Sequence, residues 1–360
     1  MTSSTVATVR DYVSERVDAG LTWVTAARRA TYGTSLVRLA FGVGAVVYLL
    51  VNFQNRHYLW GDAARWVSPR DANGGFGWPF TFFAGGSGAT ELTVKYLLLF
   101  VVACLFTVGW HTRWMAPAML LLWTSLLESN PLTGDQSDNI FRILLFYFCF
   151  ADIAGRWSLD ARRRARRLAT YGAPRPLGRL GSPTLNSRVS EAGTLVHNFA
   201  VITAGAQICM IYVASGLYKA QGARWQDGTA IFYPMQLSHY RPWPALNDLL
   251  VSNSFMVAAV TYFAVFIQLF FPLLLLRRTT RIIAIVGVLA MHAGIGLFMG
   301  LPFFSLFIMA GDCIFVRDST FRGMEERVRQ RFGRDRRPAG MADGPTARRT
   351  AAPETAGSRG

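Results

Sequence analysis

Along the chain, apolar residues gather into long runs separated by short polar stretches, and no polar helical face breaks these runs. About 17–25 apolar residues cross a bilayer core as a helix. On that measure the pattern predicts about eight spans, near residues 35–53, 91–110, 114–129, 139–155, 194–217, 255–276, 281–298 and 301–316. The third and the last two are short or weakly separated. The expected fold is all-α, a polytopic transmembrane helix bundle.

Three regions follow. Residues 1–34 are polar, with Val9, Val13, Val17, Leu21 and Val24 at helical spacing, and are expected to form a cytosolic amphipathic segment. Residues 35–317 form the transmembrane domain. Residues 318–360 form a basic, low-complexity cytosolic tail, expected to be disordered from about Arg322. No short apolar core with a small-residue cleavage site precedes the first span, so no signal peptide is read. The inner loop 175–190, rich in Pro, Gly and Ser, reads as a flexible linker.

Charge sets the orientation. The chain has 37 Lys plus Arg against 21 acids, a net charge of +16. The cations cluster after the fourth span (Arg156, Arg162, Arg163, Arg164, Arg166, Arg167, Arg175, Arg179, Arg188), after the sixth (Arg277, Arg278, Arg281) and in the tail. With an even number of spans all of these fall on one side, which the positive-inside rule makes cytosolic, together with both termini. The expected location is the cell membrane, multi-pass, with the lipid bilayer as partner. A nucleic-acid role is excluded, because the arginines sit in loops between apolar runs. Two opposite loops, 57–86 and 225–250, are rich in Trp, Tyr and Phe and are expected to roof the bundle.

Candidate chemistry is sparse. Only Lys95 and Lys219 are lysines. Lys219, in "SGLYKAQGARW", lies just past the fifth span. A desolvated lysine releases its proton and serves as a base, whereas a wet one snorkels to the headgroups; the sequence leaves both readings open. His292 sits within the seventh span, where an ionisable group marks a functional site or bonds a neighbouring helix. The outer turn "ESNPLTGDQSDN" gathers Glu128, Asp135 and Asp138 before Arg142. It reads either as a cation or proton site or as a solvated turn capped by Asn139. Asp152 and Asp312 are expected to pair with nearby arginines. The scattered histidines predict no metal site, and the four cysteines have no ligand or disulfide spacing. Gly296–Gly300 is a weak GxxxG packing signal.

The segments "YVASGLYKAQGARWQDGTA", "NPLTGDQSDNIFRILLFYFCFADIAGRWSLDARR" and "MHAGIGLFMGLPFFSLFIMAGD" resemble the bacterial HTTM family, whose membrane domains are similar to that of vitamin K-dependent gamma-carboxylase. The Gly-x-x-Lys run carries the resemblance, with Phe150, Asp152, Trp157, Ser158 and Asp160 as a second motif. The resemblance implies that Lys219 is the base that deprotonates a reduced quinone, here menaquinol or a relative. His292, Asp135, Asp138, Arg142 and Trp225 are then expected around the substrate or quinone. Ser137 or Asp138 falls where the carboxylase has a histidine, and its large lumenal domain has no counterpart in this sequence. A separate extracytosolic peptide or protein partner is therefore expected. The alternative is a non-catalytic membrane partner in the maturation, export or immunity of a secreted peptide.

Overall fold

The computed structural model describes residues 3–62, 77–83, 88–172 and 183–333. Among these residues the chain is all-α, with no strand. In chain order the helices are α1 (Ser3–Thr25), α2 (Thr31–Val51), α3 (Ala89–Val108), α4 (Thr112–Ser129), α5 (Gln136–Phe148), α6 (Leu159–Tyr171), α7 (Pro183–Ala220), α8 (Ala223–Gln226), α9 (Phe232–Gln236), α10 (Pro244–Val251), α11 (Ser254–Leu269), α12 (Phe271–Leu274), α13 (Arg278–Phe298), α14 (Pro302–Asp312) and α15 (Asp318–Gly333).

Four of them are long and apolar enough to cross a membrane: α2, α3, α7 from Ser190 onward, and α13. The pair α10 and α11, bent by 93°, makes a fifth if it counts as one span. This is the architecture of a multi-pass membrane protein. A helix stands in each predicted interval, but several differ in length. α5 stops at Phe148, and α11 breaks at Phe270, just before Pro272 opens α12 without a backbone N–H to donate. α7 instead starts at Pro183, so the end of the loop expected to be a linker is helical. Residues 173–182 of that loop lie outside the described residues.

The bundle shows a lipid-type face and a packed face. On α3, Leu92, Tyr96, Leu99, Ala103 and Phe106 are buried at helical spacing, while Val94, Leu98 and Val101 stay exposed. Lipid is as apolar as these side chains, so tight packing rather than water exclusion must hold the helices together. The centre supplies it with aromatic rings from four helices. Phe41 of α2 stacks on Phe141 of α5 at 4.6 Å, and Phe307 of α14 lies 5.0 Å from Phe141. Trp123 of α4 closes the group at 5.1 Å from Phe141.

At the end that carries the arginines, a buried cation ties the chain. Arg38 of α2 is fully buried and donates to four backbone carbonyls, those of Ile153 (3.2 Å), Phe106 (3.2 Å), Trp157 (2.8 Å) and Thr107. Phe106 and Thr107 belong to the last turn of α3, whose carbonyls carry the negative end of the helix dipole; that of Phe106 also accepts from the Gly109 N–H at 3.1 Å. Asp160 caps the next helix, accepting from the Thr112 (2.8 Å) and His111 (3.1 Å) backbone N–H groups. Burial alone would raise the Asp160 carboxyl, but those N–H bonds outweigh it and hold it below the usual carboxylate range. Ser158 caps α6. Asp152 pairs with Arg28 and, at 3.5 Å, with Arg164, as expected. The second motif of the sequence is therefore an architectural joint.

The two aromatic loops differ from a simple roof. In the first, Trp60 and Phe83 are buried, and the Phe83 N–H donates to Ser125 Oγ at 2.8 Å. Residues 63–76 and 84–87 of it lie outside the described residues. The second folds into α8, α9 and α10 and exposes Phe232, Tyr233 and Trp243. α1 is helical over Ser3–Thr25, and its Val17 and Leu21 are exposed. The side chains of Val9 and Val13 lie outside the described set. Residues 1–318 form one compact unit and 319–360 a second. In the second, the helix through Gly333 shortens the tail expected to be disordered, an Arg329–Glu325 pair at 2.9 Å lies on it, and residues 334–360 lie outside the described set.

Candidate functional site

Lys219 occupies the last turn of α7, and its surroundings follow from one close approach. Gly216, one turn earlier, presses against α11: a Cβ there would lie 2.9 Å from the Leu269 backbone nitrogen. Only the absence of a side chain lets the two backbones come so near. The approach places Gln268 opposite Lys219. Lys219 Nζ donates to Gln268 Oε1 at 2.8 Å and to Ser215 Oγ at 2.5 Å. It also lies 5.4 Å from the centre of the Trp225 ring. Lys219 and Trp225 are half-buried and Gln268 is buried. Among the described residues no carboxylate pairs with Lys219, whereas Lys95 pairs with Glu91 at 2.7 Å.

The turn beyond α7 is built to hold this geometry. The Gly222 N–H bonds the Lys219 carbonyl at 2.9 Å, and Gln226 Nε2 donates to the Ala220 carbonyl at 3.0 Å. Tyr262 of α11 donates its hydroxyl to the Gln226 carbonyl at 2.7 Å. Three bonds thus fasten the Trp225 turn to both α7 and α11.

Deeper in the bundle is a second polar group. Tyr212, Ser215 and Lys219 are spaced i, i+3 and i+7 and so share one face of α7. The Tyr212 hydroxyl donates to Asp312 Oδ2 at 2.7 Å, and Asp312 is fully buried. Among the described residues no arginine pairs with it, in contrast to the expected arginine pairing, and α14 turns this carboxyl inward. His292 of α13 is also buried, with its ring 6.0 Å from those of Tyr212 and Phe304. Among the described residues, both ring nitrogens of His292, Oδ1 of Asp312 and Oγ of Ser305 have no hydrogen-bond partner, as is also true of Trp60 Nε1, Trp123 Nε1, Thr124 Oγ1, Arg241 Nε and Asn247 Oδ1. Buried polar atoms are nearly always bonded, so each such atom is a point where a ligand or water could bind.

The acidic turn does something else. Asp135 caps α5, accepting from the Ser137 N–H at 2.7 Å, while Asp138 accepts from the Asp135 N–H at 2.9 Å. This reciprocal capping box replaces the Asn139 cap expected from sequence. Arg142 pairs with Glu128 at 2.9 Å and also bonds Asn139. The hydrogen bonds of Asp135, Asp138 and Arg142 thus close within the turn and its neighbouring helix end. Of the sequence candidates, Lys219 and Trp225 face each other, His292 lies beside Tyr212 on the α7 face that also carries Lys219, and the three acidic-turn residues form their own group.

Sequence reading missed Ser215, Gln268 and Tyr212. Gln268 left a usable signal, since it is an uncharged polar residue in an otherwise apolar run. Gly296 packs α13 on α14, where a Cβ would sit 3.0 Å from Ser305 Oγ, whereas Gly300 makes the following turn with φ +67° against Pro242. Among the described residues no cluster of His, Cys, Asp and Glu is arranged to hold a metal ion, and the four cysteines are free. No family model, curated protein or solved structure matches the chain.

Proposed function

We propose that the chain is an integral membrane protein of the gamma-carboxylase-like type, with Lys219 acting as a base toward a reduced quinone at the extracytosolic face. The topology in this reading is eight spans with both termini in the cytosol, supported by the arginine distribution and by a helix in each predicted interval. One observation carries the chemistry: a half-buried lysine with no acidic partner, held by two neutral oxygens.

That arrangement suits a base. A neutral amine has two N–H donors and one lone pair, and Ser215 and Gln268 engage two donors. The lone pair is left for a proton on the side not taken by these oxygens. The orphaned atoms of His292, Asp312 and Ser305 offer bonding partners to a hydroxyl-bearing apolar ring. Such a quinol supplies the acidic hydroxyl and the electrons, and dioxygen is the oxidant that accepts them. Lys219 Nζ takes the hydroxyl proton, and the O–H electron pair stays on oxygen. Gln268 and Ser215 hold the resulting ammonium, and the Trp225 ring faces it.

The test is oxygen uptake by the purified protein in liposomes with reduced menaquinone, comparing wild type with Lys219→Ala at matched folding. Uptake that requires Lys219 supports the reading; uptake no greater than in empty liposomes, with and without an added acidic peptide, refutes it. A second reading, a membrane partner in handling a secreted peptide, is favoured by the exposed rings of Phe232, Tyr233 and Trp243 beside the site. Retention of such a peptide by wild type and Lys219→Ala alike would support that reading.

A further inference from the structure

We propose that α6 is a binding surface for the headgroups of anionic phospholipids. The helix reads "LDARRRARRLATY", and its five arginines divide into two sets with different surroundings. Two of them fasten the helix to the bundle. Arg163 lies 3.6 Å from Asp160 and 5.7 Å from the centre of the Trp110 ring. Arg164 reaches Asp152 at 3.5 Å and the Ala154 carbonyl at 2.5 Å. The nearby acids are thereby occupied, because Asp160 also accepts from the Thr112 and His111 N–H groups and Asp152 also pairs with Arg28.

Arg162, Arg166 and Arg167 are exposed, and among the described residues no carboxylate pairs with them. Arg162 and Arg166 are four residues apart, so they lie within about 40° of each other around the helix. Around the helix between Arg164 and Arg162 lie exposed Leu168, Ala165 and Ala169 and half-buried Ala161; Leu168, four residues on from Arg164 and within about 40° of it, is 55% exposed. The helix therefore offers free guanidinium groups next to an uncovered apolar strip, at a fixed position on a chain already in the bilayer.

A membrane surface matches both features. Phosphate oxygens satisfy the guanidinium forks, and the apolar strip settles at the boundary between headgroups and acyl chains. Nucleic acid would match the charge but leave the strip in water. Each arginine near an anionic leaflet adds to the attraction, which salt weakens. The surface is separate from the Lys219 region, so its test does not depend on quinol chemistry.

The experiment uses the full-length protein in phosphatidylcholine liposomes with trace spin-labelled phosphatidylglycerol or spin-labelled phosphatidylcholine. The motionally restricted fraction reports lipid held by the protein. The expected wild-type preference for phosphatidylglycerol is about fivefold, falling below about twofold in Arg162→Gln/Arg166→Gln/Arg167→Gln. A charge-matched control, Arg322→Gln/Arg327→Gln/Arg331→Gln, is expected to keep the preference. The wild-type preference is also expected to decline as salt is raised, which tests the proposal without any variant. A wild type that holds both lipids equally, a preference insensitive to salt, or a triple variant that keeps the full preference would each overturn it. The first outcome would redirect the search to a soluble acidic protein.

Discussion

Gly216 is the point at which packing and site geometry meet, and its substitution can be worked out in numbers. Gly216→Ala places a methyl carbon 2.9 Å from the Leu269 nitrogen and 3.0 Å from its Cα. Both atoms are helix backbone and cannot swing aside. Ordinary carbon contacts need about 3.5–4.0 Å, so α11 must retreat by about 0.5–1 Å. Such overpacking costs about 1–3 kcal/mol, against up to about 1 kcal/mol gained from alanine's helix propensity. The net expectation is a loss of about 1–2 kcal/mol, a few degrees of melting temperature. Gly205, on the same helix, is the control. A Cβ there meets Phe315 Cε1 at 3.4 Å, an ordinary contact with a side chain. Gly205→Ala should therefore gain about 0.5–1 kcal/mol. Thermal unfolding of both variants in one detergent gives the answer, because the two shifts are expected to have opposite signs. The retreat of α11 should also lengthen the 2.8 Å bond between Lys219 and Gln268, lowering any Lys219-dependent oxygen uptake. Gly216→Ala melting at or above wild type would refute the claim that this contact is tight.

Gln268→Leu removes one of the two oxygens on Lys219 Nζ; a loss of about 1–2 kcal/mol in unfolding and a larger fractional loss of quinol-dependent uptake are expected. Arg38→Met leaves four buried carbonyls without their donor and should cost at least about 3 kcal/mol, whereas Lys219→Met should change unfolding by no more than about 1–2 kcal/mol. For Asp160 the folded carboxyl titrates below its unfolded range, so its contribution is full above about pH 4 and fades as the pH falls through the depressed folded value. Asp160→Asn should melt lower than wild type at neutral pH, and the gap should narrow on acidification; a constant gap would show that the carboxylate charge is immaterial.

The helices were legible because span length and apolar composition are local properties. Their breaks were partly legible: Pro272 marks the end of α11, but nothing in the apolar run shows that α5 stops at Phe148. His292 could be singled out because an ionisable group within an apolar run is costly wherever the helix faces. Asp312 was legible as a residue but not in its environment. Arg317 lies a few residues on, which suggests a surface ion pair, yet the helix phase aims the carboxyl at Tyr212 of another helix. Gln268 and Lys219 are far apart in sequence, and their meeting depends on Gly216, whose role appears only when α7 and α11 are side by side. In the acidic turn the kind of structure was readable but the capping residue was not. Asp135 and Asn139 both suit a cap, and the start of α5 at Gln136 decides between them.

The two motifs that carried the resemblance differ in what their side chains are free to do. In 150–160 the polar groups are committed to structure: Asp160 to helix N–H groups, Ser158 to a cap, Asp152 to two arginines, and the Trp157 carbonyl to Arg38. Substituting them should chiefly alter folding. In 212–225 the commitments are incomplete. Among the described residues, Lys219 has only neutral hydrogen-bond partners, and the His292 ring beside Tyr212 has none. A buried polar atom left open costs about 1–3 kcal/mol, and a bundle gains nothing in stability by keeping several together. Open polar atoms next to Tyr212 of α7, against polar groups committed to caps and ion pairs in 150–160, are the contrast on which the proposed role of Lys219 rests.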